Sequence, residues 1–380
     1  MISYTIMENI PAELTLEILS YVDLISTKNF RLTCKRYAEL GLEQIVGKAR
    51  RVIFEHGFAS IISISGQPQA AKYVRTLTYS RTYSIIDYPT EMTGSNIYNP
   101  KSEEKRKLLT DFVRRGKQII REHEDFAAFK SSIEKFSNLE NINIFCGAPI
   151  GFEGLELACW KRASPAHFLG VREMEAIQLG VLQADRKINS LCVKYLSDEY
   201  FIETAWQTFG QAWASVTKLD LYIVPLIGEW NRQNIKLALQ QLPCLRELHL
   251  RFFWDWSTAL TPLDSVLDSN FTFNTLLVLT LEGVVSNEGH FTSTMEAGLA
   301  TIECLTLSQF KFSVSALKPV LTFIRERKLK KVELHGLIEG DENRYVYGGN
   351  EQKLEQVAKW LTDPELQWPQ FDNPQSAHQN

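Results

Sequence analysis

Short hydrophobic runs of the form LxxLxL recur along most of the chain. They begin at Val74, Leu139, Ile188, Val216, Leu245, Leu276, Ile302 and Leu329, and the first copy is the weakest. Within each run apolar and polar residues alternate, a period of two that is typical of a β-strand with one buried face. In one run Leu248 and Leu250 point to one side, while Glu247, His249 and Arg251 point to the other. The pattern predicts a series of short strands, each with one polar face.

The spacing of these runs indicates how the strands are connected. From Leu191 onward their middle apolar positions are 28, 29, 31, 26 and 27 residues apart. Between the strands, Ile235, Ala238, Leu239 and Leu242 follow helical spacing, and the segment from Leu354 to Leu361 does the same. We therefore expect an α/β fold of parallel strands with outer helices. The intervals of 65 and 49 residues before Leu191 leave room for a degenerate repeat or an insertion.

A period of about 20–29 residues with this apolar pattern resembles the leucine-rich repeat. The resemblance implies a horseshoe-shaped solenoid over residues 49–361, whose stacked units share one core. Regular members carry Asn or Cys three residues after the last leucine of the strand. Here the corresponding positions are apolar: Val224, Phe253, Val284, Phe310 and Leu337. We expect an irregular solenoid in which apolar packing replaces the polar ladder.

Two polar segments interrupt or follow the repeats. The segment near residues 87–101 is rich in Pro, Thr, Asn and Gly, which predicts a loop or disordered insertion. Residues 362–380 contain three prolines among Gln and Asn residues, which predicts a disordered tail.

Residues 10–42 have a helical pattern, and Pro11 suits the first helical position. Leu14, Ile18, Tyr21 and Val22 fall on one face of this helix, and Leu16 and Leu19 extend the apolar surface to a second face. The segment from Asp23 to Ser26 breaks the helix, and Ser26 is a candidate N-cap for a second one. Leaving the five aliphatic side chains of this set in water would cost about 10 kcal/mol. Either the repeats or another protein must cover them.

This stretch resembles the F-box, a short motif of adaptor proteins. The chain supplies Ile10-Pro11, Glu13, Ile18-Leu19, Val22-Asp23 and Cys34-Lys35-Arg36-Tyr37 at the spacing of the family. It departs from the family at Leu24 in place of Pro, at Thr27 and Lys28 in place of two leucines, and at Thr33 in place of Val. The resemblance assigns residues 1–48 to an F-box domain.

The resemblance implies a non-catalytic subunit of a cullin-RING (SCF-type) ubiquitin ligase. Its F-box would bind the Skp-family adaptor, and its repeats would hold a protein target. The adaptor-binding residues that the resemblance implies are Ile10, Pro11, Leu14, Ile18, Leu19, Val22, Cys34, Lys35 and Tyr37.

Polar residues on the predicted strands, together with one loop aromatic, are candidates for target binding. They are Asp220, Tyr222, Glu247, His249, Arg251, Trp254, Glu282, Glu333 and His335. Their mixed charge suits a protein partner better than a nucleic acid.

Composition excludes several other classes of protein. The net charge of −4 disfavours nucleic-acid binding, and no run approaches 18 apolar residues, which disfavours a membrane span. The six cysteines include no CxxC pair, which indicates a reducing intracellular environment, cytoplasmic or nuclear, and no zinc site. The GxSxG, GxxxxGK[ST] and HExxH templates are absent, so we expect neither a cofactor nor catalysis.

Two other functions stay open from the sequence. The chain is an interaction scaffold without a ligase role if its N-terminal helices pack on its own repeats. It is a hydrolase or transferase if distant residues assemble a site, for which His249 or His335 beside carboxylates are the candidates.

Overall fold

A computed structural model shows an α/β fold with two compact units. The first unit comprises Met1–His167 and Arg172–Ile188, and the second comprises Phe168–Val171 and Asn189–Asn380. The units do not divide at residue 48, the predicted end of the F-box domain. The structure describes residues 10–48, 51–53, 57–82, 118, 121–147, 170–198, 200–203, 206–224, 232–253, 260–267, 270, 272–313, 317–339, 344–345, 351–363 and 365–367.

The N-terminal segment forms three helices, α1 (Ala12–Tyr21), α2 (Leu24–Arg31) and α3 (Lys35–Lys48). The prediction of two helices was wrong because the chain breaks a second time around Thr33, whose hydroxyl donates to the carbonyl of Phe30. The predicted cap was also wrong. Asp23 caps α2, since its carboxylate accepts from the amides of Ile25 and Ser26, each at 2.9 Å. Hydrogen bonds from Ser26 lower the pKa of Asp23.

The rest of the first unit contains a parallel sheet in which β2 lies between β1 and β3. Leu77 in β2 lies directly opposite Ile142 in β3. The 65-residue interval between these two positions therefore inserts no further strand between β2 and β3. Inside this unit, Arg172 donates two hydrogen bonds of 2.8 Å to the buried carboxylate of Asp125. The elements are β1 (Arg51–Ile53), α4 (Gly57–Ser65), α5 (Pro68–Ala71), β2 (Thr76–Thr82), α6 (Glu124–Ile133), β3 (Asn141–Gly147) and α7 (Val171–Gln183).

The second unit begins with six parallel strands in the order β4-β5-β6-β8-β10-β12. They are β4 (Ser190–Ser197), β5 (Lys218–Val224), β6 (Glu247–Phe252), β8 (Val278–Glu282), β10 (Cys304–Ser308) and β12 (Lys331–His335). The middle apolar residues of the six runs lie side by side in register, and all of them are buried. The strands predicted from these runs are therefore confirmed.

A second sheet, which the sequence reasoning does not predict, follows the first. Its order is β14-β13-β11-β9-β7, parallel except for β14. The chain turns from the first sheet into the second at residues with positive φ, namely Gly283 (72°), Gln309 (45°) and Gly336 (56°). The strands are β7 (Thr261–Pro262), β9 (Val284–Ser286), β11 (Lys311–Phe312), β13 (Ile338–Glu339) and β14 (Arg344–Tyr345).

Most of the apolar positions three residues after the last leucine of each run are buried. The expected apolar packing is confirmed at four positions, since Val224, Val284, Phe310 and Leu337 are buried. Phe253, by contrast, is only half-buried.

Helices return the chain between the strands of the second unit. The helices predicted around Ile235 and Val357 are confirmed, and α13 packs against β12. The guanidinium of Arg325 donates to the carbonyls of Asp363 and Leu366, so the predicted tail begins with residues held by α12. The helices are α8 (Tyr200–Glu203), α9 (Trp206–Trp213), α10 (Arg232–Gln240), α11 (Glu288–Ser293), α12 (Leu317–Glu326) and α13 (Glu351–Thr362).

Three sequence predictions fall outside the described residues. They concern the insertion near residues 87–101, the target-binding role of Trp254, and the tail beyond residue 367. None of the helices that the structure describes is both long enough and apolar enough to cross a membrane.

Candidate functional site

An apolar stripe runs along the outside of α1 and α2. Within the described parts of the chain, nine large apolar side chains are exposed, and five of them lie in this short segment. The stripe consists of Leu14 (51% exposed), Ile18 (52%), Tyr21 (83%), Ile25 (72%) and Leu32 (85%). Such a concentration of exposed large apolar side chains in one short segment is typical of a protein-binding site.

The opposite faces of the same helices form a small core. The ring of Phe30 stacks on that of Tyr37 with their centroids 4.3 Å apart, and Leu19 is almost completely buried. Thr27, which stands where the family pattern has leucine, is also buried and donates its hydroxyl to the carbonyl of Asp23 at 2.8 Å. This core gives the stripe a firm support.

The structure divides the predicted adaptor-binding residues into three groups. Leu14, Ile18, Pro11 and Lys35 are exposed, and Ile10, Val22 and Cys34 are half-buried. Leu19 and Tyr37 are buried in the core of the helices, and adaptor contact by these two residues stays a prediction. The exposed and half-buried residues stay predictions as adaptor contacts.

Sequence reasoning misses Ile25 and Leu32, and it places Tyr21 on the helical face without assigning it to the site. A signal was present within α1, because residues 14, 18 and 21 follow the spacing of one helical face. Ile25 and Leu32 lie beyond the break at Asp23, where the helical phase is reset, so the spacing in α1 does not identify them.

Comparison with known families decides what the stripe belongs to. The family model of the F-box domain matches residues 7–41. The N-terminal helices form an F-box domain. The matched segment contains the whole apolar stripe, and F-box domains bind Skp-family adaptors of cullin-RING ubiquitin ligases. F-box proteins are generally non-catalytic components of these ligases. A search with the whole chain finds no match among curated proteins.

The predicted target-binding residues, apart from Trp254, lie on one face of the first sheet of the second unit. Parallel pairing brings them into three rows across the strands. One row is Lys218, Glu247, Val278, Cys304 and Lys331; the next is Asp220, His249, Thr280, Thr306 and Glu333; the third is Tyr222, Arg251, Glu282, Ser308 and His335. The structure therefore unites residues that are more than 110 positions apart in the sequence. We call this surface the polar face.

Neighbouring charges on the polar face largely compensate one another. Lys218 lies 2.7 Å from Glu247, and Lys331 lies 2.7 Å from Glu333. These pairs are partly exposed, so each contributes little to stability. The hydrogen bond from Lys331 lowers the pKa of Glu333 and, reciprocally, raises that of Lys331.

The centre of the polar face is less completely paired. Arg251 and Asp220 approach to 3.6 Å, which is longer than a good bidentate pair. Nε of Arg251 and Oδ1 of Asp220 are buried without a hydrogen-bond partner among the described residues. Burial raises the pKa of Tyr222 to about 12 and that of Cys192, beside Asp220, to about 11. At neutral pH these groups are therefore a neutral phenol and a neutral thiol, which excludes a thiolate nucleophile at Cys192.

His249 is a histidine of this face whose protonation we expect to affect stability below neutral pH. Burial lowers its pKa, although the carboxylates of Asp220 and Glu247 oppose this effect and Lys218 and Arg251 reinforce it. Between the lowered pKa and the ordinary value of about 6.5, the unfolded chain binds more protons, so stability falls as the pH falls through this window.

We expect the variant His249→Gln to lose less stability than the natural chain as the pH falls. Denaturant midpoints at about pH 7.5 and about pH 6 should differ less in the variant than in the natural chain. His290→Gln, which changes a histidine that is 54% exposed, is the matched control and should leave the difference unchanged. Equal pH dependence in the natural chain and His249→Gln would contradict this role.

The arrangement around His249 does not form a hydrolytic triad. Nδ1 of His249 lies 2.9 Å from Oγ1 of Thr280, and Nε2 lies 4.0 Å from Glu247. Glu247 is already paired with Lys218, however, and the strand amides around Thr280 are engaged in the parallel ladder and offer no oxyanion hole. The described residues also contain no group of three or more His, Cys, Asp or Glu side chains suited to a metal ion.

Proposed function

We propose that this chain is the non-catalytic substrate-recognition subunit of an SCF-type ubiquitin ligase. The observation that carries the proposal is that the exposed apolar stripe coincides with the F-box match at residues 7–41. Burying the exposed parts of these five large side chains would contribute several kcal/mol to adaptor binding.

The second unit is proposed to be a leucine-rich-repeat solenoid that holds a protein target on its polar face. The repeated strands at intervals of 26–31 residues support this assignment, as do the strand-to-helix connections. The mixed charges of the polar face suit a protein surface. Binding at two sites would raise the concentration of target lysines near the ubiquitin-conjugating enzyme without any catalytic group in this chain.

The competing function is a scaffold whose N-terminal helices pack on the chain itself. The exposure of Leu14, Ile18 and Tyr21 supports the ligase function instead, because self-packing would remove these side chains from water.

Ubiquitylation in cells tests the proposed function. We expect peptides from one or a few proteins to lose ubiquitylation when the chain is replaced by the variant Leu14→Asp/Ile18→Asp. The measurement is quantitative proteomics of ubiquitylated peptides with proteasome inhibition, and Ile62→Asp, outside the F-box match, is the control. An unchanged ubiquitylated proteome would contradict a ligase role.

A further inference from the structure

The carboxyl ends of β4, β5 and β6 carry a cluster of aromatic side chains on the polar face. The rings of Tyr195 and Tyr222 have centroids 4.8 Å apart, and those of Tyr222 and Phe253 are 6.4 Å apart. All three side chains are half-buried, so each leaves part of its surface open to water. We call these three residues the aromatic patch.

A β-bulge places one member of the patch on this face. In β4 the register shifts between Lys194 and Leu196, and Tyr195 adopts a φ of 63°. Regular alternation would turn Tyr195 towards the core; instead Lys194 and Tyr195 are both half-buried, and Leu196 is buried. Bulges often redirect a side chain in this way next to binding sites.

Glu282 lies on the same face at the end of β8, two strands away from Tyr222. Its register partner is Arg251, whose own register partner is Tyr222. Arg251 forms its ion pair with Asp220, and Glu282 forms no ion pair with any described residue. One guanidinium therefore serves two carboxylates, and the group of Asp220, Arg251 and Glu282 carries a net charge of −1.

The surroundings of Glu282 are unfavourable for its charge. Burial raises the pKa of its carboxyl, and the nearby carboxylate of Asp220 adds to this effect. The attraction of Arg251 and His335 offsets the increase only in part. A further cation beside Glu282 would therefore be stabilised.

An acidic group beside aromatic rings is complementary to a basic side chain. The aliphatic stem of Arg or Lys packs on aromatic surface, and its charged end binds ring faces and carboxylates. Two other charged pairs of the face, Lys218 with Glu247 and Lys331 with Glu333, are already matched. Lys194, the register partner of Tyr222, is a further cation on this face.

We propose that the carboxyl ends of β4 to β8 bind an arginine or lysine side chain of the target protein, with its stem on the aromatic patch and its charge at Glu282. This inference rests on the proposed role of the second unit as the target-binding part, and it specifies the chemistry of the target. An acidic or phosphorylated target segment would instead meet Glu282 and Asp220.

Selection from a random peptide library tests the proposal. The immobilised full chain should enrich peptides that contain Arg or Lys relative to the starting library. A selected peptide should bind the Glu282→Gln variant about tenfold more weakly, and Tyr195→Asn, which tolerates the left-handed backbone, should weaken it about fivefold. Glu303→Gln is the control, because Glu303 is paired with Lys330 at 2.8 Å and lies before β10; it should change affinity less than about twofold.

A second set of measurements separates a direct contact from an indirect effect. Replacing the basic residue of the peptide by norleucine should weaken binding to the natural chain but have little further effect on the Glu282→Gln variant. Recovery of no peptide, enrichment of acidic peptides, or equal affinity for Glu282→Gln would each overturn the proposal. Adaptor co-purification is measured on the same preparations, and it should be unchanged in Glu282→Gln. If the natural chain does not bind the adaptor, the ligase role is refuted, and the peptide result is then judged by itself.

Discussion

The variant Leu14→Asp/Ile18→Asp is expected to lose binding to the Skp-family adaptor by about three orders of magnitude. Both side chains are about half exposed in the free chain, so the substitutions remove apolar area that the adaptor would cover. They also place two carboxylates in a surface that becomes dry on binding, which costs several kcal/mol. Aspartate is too short to extend its charge from such an interface back to water.

The same variant should stay folded, because neither Leu14 nor Ile18 belongs to the core around Leu19 and Tyr37. The lower helix propensity of aspartate costs about 0.5 kcal/mol per site. Co-purification with the adaptor is the measurement, and circular dichroism monitors folding. Ile62→Asp is the matched control, since Ile62 is 49% exposed on α4 and lies outside the F-box match. Adaptor binding that survives the double substitution would rule out the stripe as the docking surface.

The second large effect is expected from Gly283→Val, which should destabilise the second unit by about 4 kcal/mol. Gly283 has a φ of 72°, a conformation that β-branched residues avoid. A Cβ atom here would clash with the carbonyl oxygen of Phe252, which is backbone and cannot move freely. The amide and carbonyl of Gly283 also bond to Ser308 and Thr261, so a shift would disturb both sheets.

Denaturant unfolding followed by tryptophan fluorescence measures this effect. Gly289→Ala is the control: a Cβ there meets only the side chain of Asn287, at 3.6 Å, within α11. It should be neutral or stabilise the chain by up to about 1 kcal/mol. If Gly283→Val unfolds at the same denaturant concentration as the natural chain, the turn between the two sheets is wrongly described.

The first sheet could be predicted from the sequence because its strands bury every second residue over five or more positions. The second sheet could not, because strands such as β7, β11 and β13 have only two residues and so carry no period. The one available signal was local: Gly283 and Gly336 each precede a buried apolar residue at the same distance from a predicted strand.

The F-box could be located from its motif, but the motif does not say which apolar face remains open. Ile18 and Leu19 are adjacent and chemically alike, yet the first is half exposed and the second is buried. The packing of α1 against α3 decides between them. Such long-range packing cannot be derived from helical spacing alone.

The polar face could also be predicted only in part, because alternation in the sequence does not give the register in which the strands pair. Alternation in the sequence identifies Asp220, Arg251 and Glu282 as outward residues. Only the pairing of β5, β6 and β8 brings Asp220 diagonally beside Arg251 and leaves Glu282 without an ion pair among the described residues. The bulge at Tyr195 breaks the alternation, so its place on this face is invisible to a period-two analysis.

Hydroxyl-radical footprinting of the full chain, with and without purified Skp-family adaptor, measures most directly whether the F-box stripe is completed by another protein. We expect Tyr21, Ile25 and Leu32 to be oxidised rapidly in the free chain and to be protected together when the adaptor is added. Ile62 should react equally in both samples. Unchanged oxidation of the three stripe residues in a sample where the adaptor is bound, or their protection before it is added, would contradict the account.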